Sequence, residues 1–175
     1  MRIILLCVLI FQITGSNAQM HSARMQAAGL TCALCSNAIY QALLNLSFVQ
    51  EVTPDLQHSS FLIQFKDSVA LDPEAIRSKV DAAGFSVAAL SFITNQKTLN
   101  LRIRDTLNVQ GLTFYFLNEI PLADNDSVFI KLISKGYLTE KGYKQYAGKL
   151  ESILKTSGRQ LQSGQFYAII ESINR

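Results

Sequence analysis

The chain has no tryptophan, only two histidines and three prolines, and only 17% of its 175 residues are charged. Two histidines leave few general bases, and no Ser-His-Asp set, glycine-rich phosphate loop or pair of placed carboxylates can be assembled around them. The sequence therefore predicts no enzyme activity. Lys and Arg together number 16 against 13 Asp and Glu, a net charge of +3 spread along the chain. No basic run supplies the electrostatic footprint that nucleic acid or an anionic membrane requires. Asp124 to Asp126 reads as a turn, because the ligand spacing of a calcium loop is missing around it. What the chain does have is apolar residues, 49% of the total, enough to bury real cores and to exclude disorder.

Cysteine is also scarce, at positions 7, 32 and 35 alone. The first of these lies in a leader-like segment. Arg2 supplies a positive start, Ile3 to Ile13 is apolar apart from Gln12, and Ser16-Asn17-Ala18 forms a small-x-small cleavage pattern. A signal peptide over residues 1–18, cleaved after Ala18, is expected, leaving a periplasmic or secreted chain. A membrane span needs about 20 apolar residues and this run is about half as long. Cys7 follows Ile4-Leu5-Leu6 with no small residue before it, so a lipid-anchored cysteine is not expected. Removal of the leader leaves Cys32 and Cys35.

From Ser22 the pattern reads as a strand through Ala28, a glycine turn, and a helix from about Ala33 to Leu46 with Ala38, Ala42, Leu43 and Leu46 on its apolar side. Phe48 to Thr53 and Ser59 to Phe65 then read as a hairpin about a turn at Pro54-Asp55, with Phe61, Ile63 and Phe65 alternating. Asp72 followed by Pro73 and Glu74 is a helix start, since Asp caps free amides and Pro suits the first helical position. Gly84 ends that helix, and Phe85 to Ile93 follows as a strand with Phe85, Val87 and Ala89 on one side. Strand, helix, strand, strand, helix, strand is the ferredoxin-like βαββαβ order of an α+β fold.

The polar break Thr94 to Lys97 suggests a boundary, with a ferredoxin-like unit over 19–94 and a smaller α+β domain over 95–175. In the latter, alternating Leu99, Leu101 and Ile103, the run Leu112 to Leu117 and the run Val128 to Ile133 read as strands, with a turn at Ala123 to Asp126. Thr139 to Lys155 keeps helical spacing through Tyr143, Tyr146, Leu150 and Leu154, although Gly142 and Gly148 each cost about 1 kcal/mol against Ala. Gln165 to Ile173 reads as a closing strand. Tyr137, Tyr143 and Tyr146 fit a half-buried helix better than a binding face.

Two cysteines two residues apart in an exported chain could be a disulfide, but such a bridge closes a very short loop and removes little entropy from the unfolded chain. Metal binding or redox chemistry is favoured. At a helix start the dipole and free amides stabilise thiolates, and the spacing lets both sulfurs face one ion. Thiolates select soft metals, and two ligands suit Cu(I) better than Zn(II), which usually takes four. A pair shared between two chains would give a four-sulfur homodimer. His21 and His58 read as ordinary surface histidines.

Gly29-Leu30-Thr31-Cys32-Ala33-Leu34-Cys35 resembles the Gly-Met-Thr-Cys-x-x-Cys signature of heavy-metal-associated domains, as in copper chaperones and metal-transporting P-type ATPases. Ala82-Ala83-Gly84-Phe85 is similar to the ending of that family's second helix, so the resemblance covers about residues 22–92. It implies a ferredoxin-like fold, Cys32 and Cys35 as ligands of Cu(I) or another soft ion such as Zn(II), and transfer of the ion to a protein partner by ligand exchange. Leu30 replaces the usual Met, a volume-conserving change. The alternatives are a thiol-disulfide redox protein and a non-catalytic interaction module. The thioredoxin type is disfavoured because only one strand precedes the cysteines.

Overall fold

The structure is a computed structural model that describes residues 19–30, 32–95, 106–118 and 127–172. The leader, the Leu99 to Ile103 alternation and the turn at Ala123 to Asp126 lie outside the described residues. In chain order the elements are β1 (Ser22–Ala28), α1 (Ala33–Leu44), β2 (Val49–Asp55), β3 (Ser60–Phe65), α2 (Pro73–Ala82), β4 (Ser86–Asn95), β5 (Thr106–Val109), β6 (Leu112–Phe116), β7 (Ser127–Leu132), α3 (Glu140–Ser157) and β8 (Gln165–Ser172).

The first six elements form the expected ferredoxin-like arrangement, with strands ordered β2-β3-β1-β4 and all neighbours antiparallel. Their local causes are visible in the sequence. The Asp72 carboxylate accepts from the Ala75 amide at 3.1 Å to start α2, with Pro73 in the first turn. Gly84, at φ +87°, turns the chain out of α2 through the left-handed region that glycine enters without strain. A Cβ at Gly84 would meet nothing within 4 Å, so Gly84→Ala should cost only its conformational strain, about 1–2 kcal/mol, read as a lower urea midpoint at unchanged slope.

Three details depart from the pattern read in the sequence. The hairpin turn falls after Asp55 rather than at Pro54-Asp55, because β2 is an edge strand, where a proline's missing N–H breaks no ladder. The buried stripe of α1 runs through Ser36, Ile39 and Leu43 while Ala38 is exposed, since the larger Ile39 and Leu43 set the inward face. In β4 the register against β1 shifts, with Gln26 opposite Ala89 but Ala27 opposite Val87. This bulge reverses the side-chain phase, so Val87, Leu90 and Phe92 enter the core and Ala89 turns to the opposite face.

The residues after 95 do not close a sheet of their own. β7 pairs antiparallel with β4, Ser91 opposite Lys131 and Ile93 opposite Phe129, and the sheet continues β7-β8-β6-β5 to eight strands. β8 lies antiparallel to β7 and parallel to β6. On the face covered by α1 and α2, an aromatic row crosses the junction: Phe65 to Phe92 at 6.0 Å, Phe92 to Phe114 at 5.7 Å, Phe114 to Phe166 at 6.3 Å and Phe166 to Tyr137 at 5.5 Å. α3 packs on the opposite face through Leu150, Tyr143 and Tyr146 against Leu117, Tyr167 and Ile169. Its Lys149 donates to the Leu117 carbonyl, and Thr139 caps its start by accepting from the Gly142 amide at 3.1 Å.

Tyr137 precedes α3 and is fully buried, rather than lying on a half-buried helix with Tyr143 and Tyr146. Its hydroxyl faces Glu74 and Arg77 of α2 without reaching hydrogen-bond geometry with either. Burial pulls the Glu74 carboxyl upward, but the Tyr137 hydroxyl and the Arg77 guanidinium, 2.6 Å away, outweigh it and hold Glu74 below its ordinary value of 4.5. A carboxyl depressed by folding adds stability that is present above its unfolded value and is lost as pH falls through the folded one. Thermal stability should therefore drop on acidification below pH 4.5, and Glu74→Gln should flatten that part of the profile.

Candidate metal centre

The site forms where β1 hands the chain to α1. Gly29, at φ +77°, makes the turn out of the strand, and Leu30 packs against the core beneath it, the position its resemblance to the usual Met implied. Cys32 is the N-cap of α1 in extended backbone, φ −141° and ψ 153°. Its Sγ accepts from the Cys35 amide at 3.1 Å, and its carbonyl accepts from the Ser36 amide at 3.1 Å. A sulfur therefore occupies the capping place usually taken by a Ser or Asp oxygen. No carboxylate stands in the first turn of α1, so the positive end of the helix is left to act on the two sulfurs.

Cys32 is exposed and Cys35 half-buried, with Cα atoms 5.3 Å apart, and the two sulfurs are joined as a disulfide. Leu34 between them is 83% exposed. A bonded pair offers no thiolate, so only the dithiol form is chemically able to ligate a metal ion. Among the described residues, no group of three or more His, Cys, Asp or Glu side chains gathers to hold an ion. His21 lies before the start of β1, with Asp67 3.8 Å away, at the opposite end of that strand from Gly29. Seven residues of strand, at about 3.3 Å each, separate it from the cysteine loop. His58 sits in the β2–β3 turn, bonded to Asp55 at 2.7 Å. Both side chains are exposed, as expected of surface histidines. Phe85 packs partly buried against the core.

The βαββαβ unit thus presents two cysteines at the open start of its first helix. Residues 24–86 match the family model of the heavy-metal-associated domain. Solved structures similar to the chain include a copper binding domain from HMA7, a P-type ATPase (26% identity, 42% of this chain and 93% of that one, TM-score 0.36). The CopZ metallochaperone is similar at 21% identity over 38% of this chain and 98% of its own, with a TM-score of 0.35. The water-soluble region of the P-type ATPase CopA from Bacillus subtilis is 16% identical over 89% of this chain and 93% of its own, with a TM-score of 0.37. No curated protein matches the chain. The family match supports heavy-metal binding by the N-terminal unit. Among the described residues, no helix is long and apolar enough to cross a membrane.

Sequence reasoning placed Cys32 and Cys35 together at the start of α1, where the structure has them. It missed a second grouping, Arg24, Ser91, Phe129, Lys131 and Glu171, which comes together on the face of the sheet opposite α1 and α2. No linear signal joins positions so far apart, because only the β1–β4–β7–β8 pairing makes them neighbours.

Proposed function

We propose that this is an exported carrier that holds one soft metal ion, Cu(I) foremost, between Cys32 and Cys35 and passes it to a protein partner. The observation that carries the reading is the cysteine pair capping an α-helix whose first turn holds no acid, at an exposed corner of a heavy-metal-associated domain. Two sulfurs satisfy the low coordination of Cu(I), whereas Zn(II) usually draws four ligands and would recruit a second chain or a partner's thiols. The exposed Leu34 gives a partner an apolar foothold beside the ion. In an oxidising compartment the loop is loaded after reduction: the disulfide takes two electrons and two protons from a thiol reductant, and the dithiol then gives up its protons to solvent as the sulfurs bind the ion.

Titration of the reduced mature protein with Cu(I) and with Zn(II), each against a competing chelator, tests this. One Cu(I) per chain, or per pair of chains, supports it; no uptake by the reduced protein would sink it. A second reading, thiol-disulfide exchange with a partner, draws on the pair being bonded in the structure. It is favoured instead if the reduced protein ignores both metals yet reduces a test disulfide.

A further inference from the structure

The face of the sheet opposite α1 and α2 carries, beside α3, a hollow of about 400 Å³, within the size range of small-molecule sites. Both parts of the chain build it. β1 supplies Arg24 and Gln26, β4 supplies its floor at Ala89 and Ser91, and β7 and β8 supply Phe129, Lys131 and Glu171. The floor is low because the β4 bulge turns Ala89 to this side. Register then sets the walls: Arg24 stands opposite Ser91, and Ser91 opposite Lys131, so two cations flank one hydroxyl across adjacent strands. At about 4.8 Å per strand, their backbones lie roughly 10 Å apart, a span that two long basic side chains can close over a single head group.

The charges are not equivalent. Lys131 is paired with Glu171 at 3.3 Å, and at the far rim Asp55 is bonded to His58. The Arg24 guanidinium lies over the Phe129 ring, 5.4 Å from its centre, and among the described residues it has no carboxylate partner. Stacking on an aromatic face holds a guanidinium flat and leaves its edge of N–H donors free, the arrangement that takes a carboxylate in two parallel hydrogen bonds. Ala89 and the edge of Phe129 offer an apolar bed beside it. Asp55 and Glu171 on the rim disfavour a doubly charged guest.

We propose that this hollow is a binding site for a small organic monocarboxylate, its head group held by Arg24 with help from Lys131 and Ser91 and its apolar body laid against Phe129 and Ala89. The site is separate from the cysteine loop and does not depend on the metal reading. The probe is benzoate, titrated into the isotope-labelled mature protein and followed by backbone amide shifts, with neutral benzamide and inorganic phosphate in parallel. Benzoate should give saturable shifts centred on Arg24, Ser91 and Lys131 and leave Cys32 and Cys35 unmoved. Benzamide and phosphate should bind more weakly. Arg24 is exposed, so Arg24→Gln should stay folded, with an unchanged dispersed spectrum, and weaken benzoate at least ~10-fold. Ser91→Leu, which fills the floor and alters no charge, should also remove binding. The proposal is overturned if benzoate shifts do not saturate, if benzamide binds equally well, or if Arg24→Gln binds benzoate as the parent does.

Discussion

Reduced and mixed with Cu(I) at a hundredfold excess over its dissociation constant, the protein should be stabilised by about 2.7 kcal/mol, because a ligand that binds only the folded chain stabilises it by mass action. For a chain of this size that corresponds to a rise in melting temperature of roughly 5–11 °C. The same addition to the oxidised protein should move nothing, since the sulfurs are then bonded to each other and carry no lone thiolate. Cys32→Ser with Cys35→Ser should abolish the rise completely. Replacing the sulfur cap by a hydroxyl keeps an acceptor for the Cys35-position amide, so the variant should fold normally. The measurement is a pair of melting curves, reduced and oxidised, with and without the ion. A rise in the oxidised sample, or one that survives in the double variant, would place the metal elsewhere on the chain.

Phe114→Ala should be the most damaging single change in the second half, and its effect should not stay there. Phe114 is fully buried, stands edge-on to Phe92 at 5.7 Å, and passes the contact on to Phe166. Truncating a buried phenylalanine costs about 3–5 kcal/mol, a large share of a typical total stability of about 5–15 kcal/mol. Because β4 and β7 are paired in one sheet and the aromatic row crosses that seam, the loss should be shared. Amide hydrogen exchange should speed up together in β1 and in β8. If β8 loosens while β1 keeps its protection, the two halves unfold separately and the row does not couple them.

Much of the first half could be read along the chain because its signals are short-range. Asp72-Pro73 and Gly84 bracket α2, alternation marks β3, and two cysteines behind a glycine mark the loop that opens α1. Each is decided by interactions within a few residues. Readings failed where the partner strand decides. The bulge at Ala88 to Ala89 shows only in the register against β1, and Pro54 is tolerated only because β2 has no neighbour on one side. The break at Thr94 to Lys97 looked like a boundary from composition, yet β4 runs to Asn95 and pairs with β7 up to Ser127.

By itself, then, the sequence determined the βαββαβ order, the helix limits and the place of the thiol pair, because local propensity, capping and side-chain period settle those within a turn or a strand. Tertiary structure alone decided that the later strands extend the first sheet, that Tyr137 is buried against α2 rather than displayed with its neighbours, and that Arg24 and Lys131 share one hollow. Those outcomes depend on which strands pair and in what register, and such long-range choices are set by how the whole apolar surface can be buried at once.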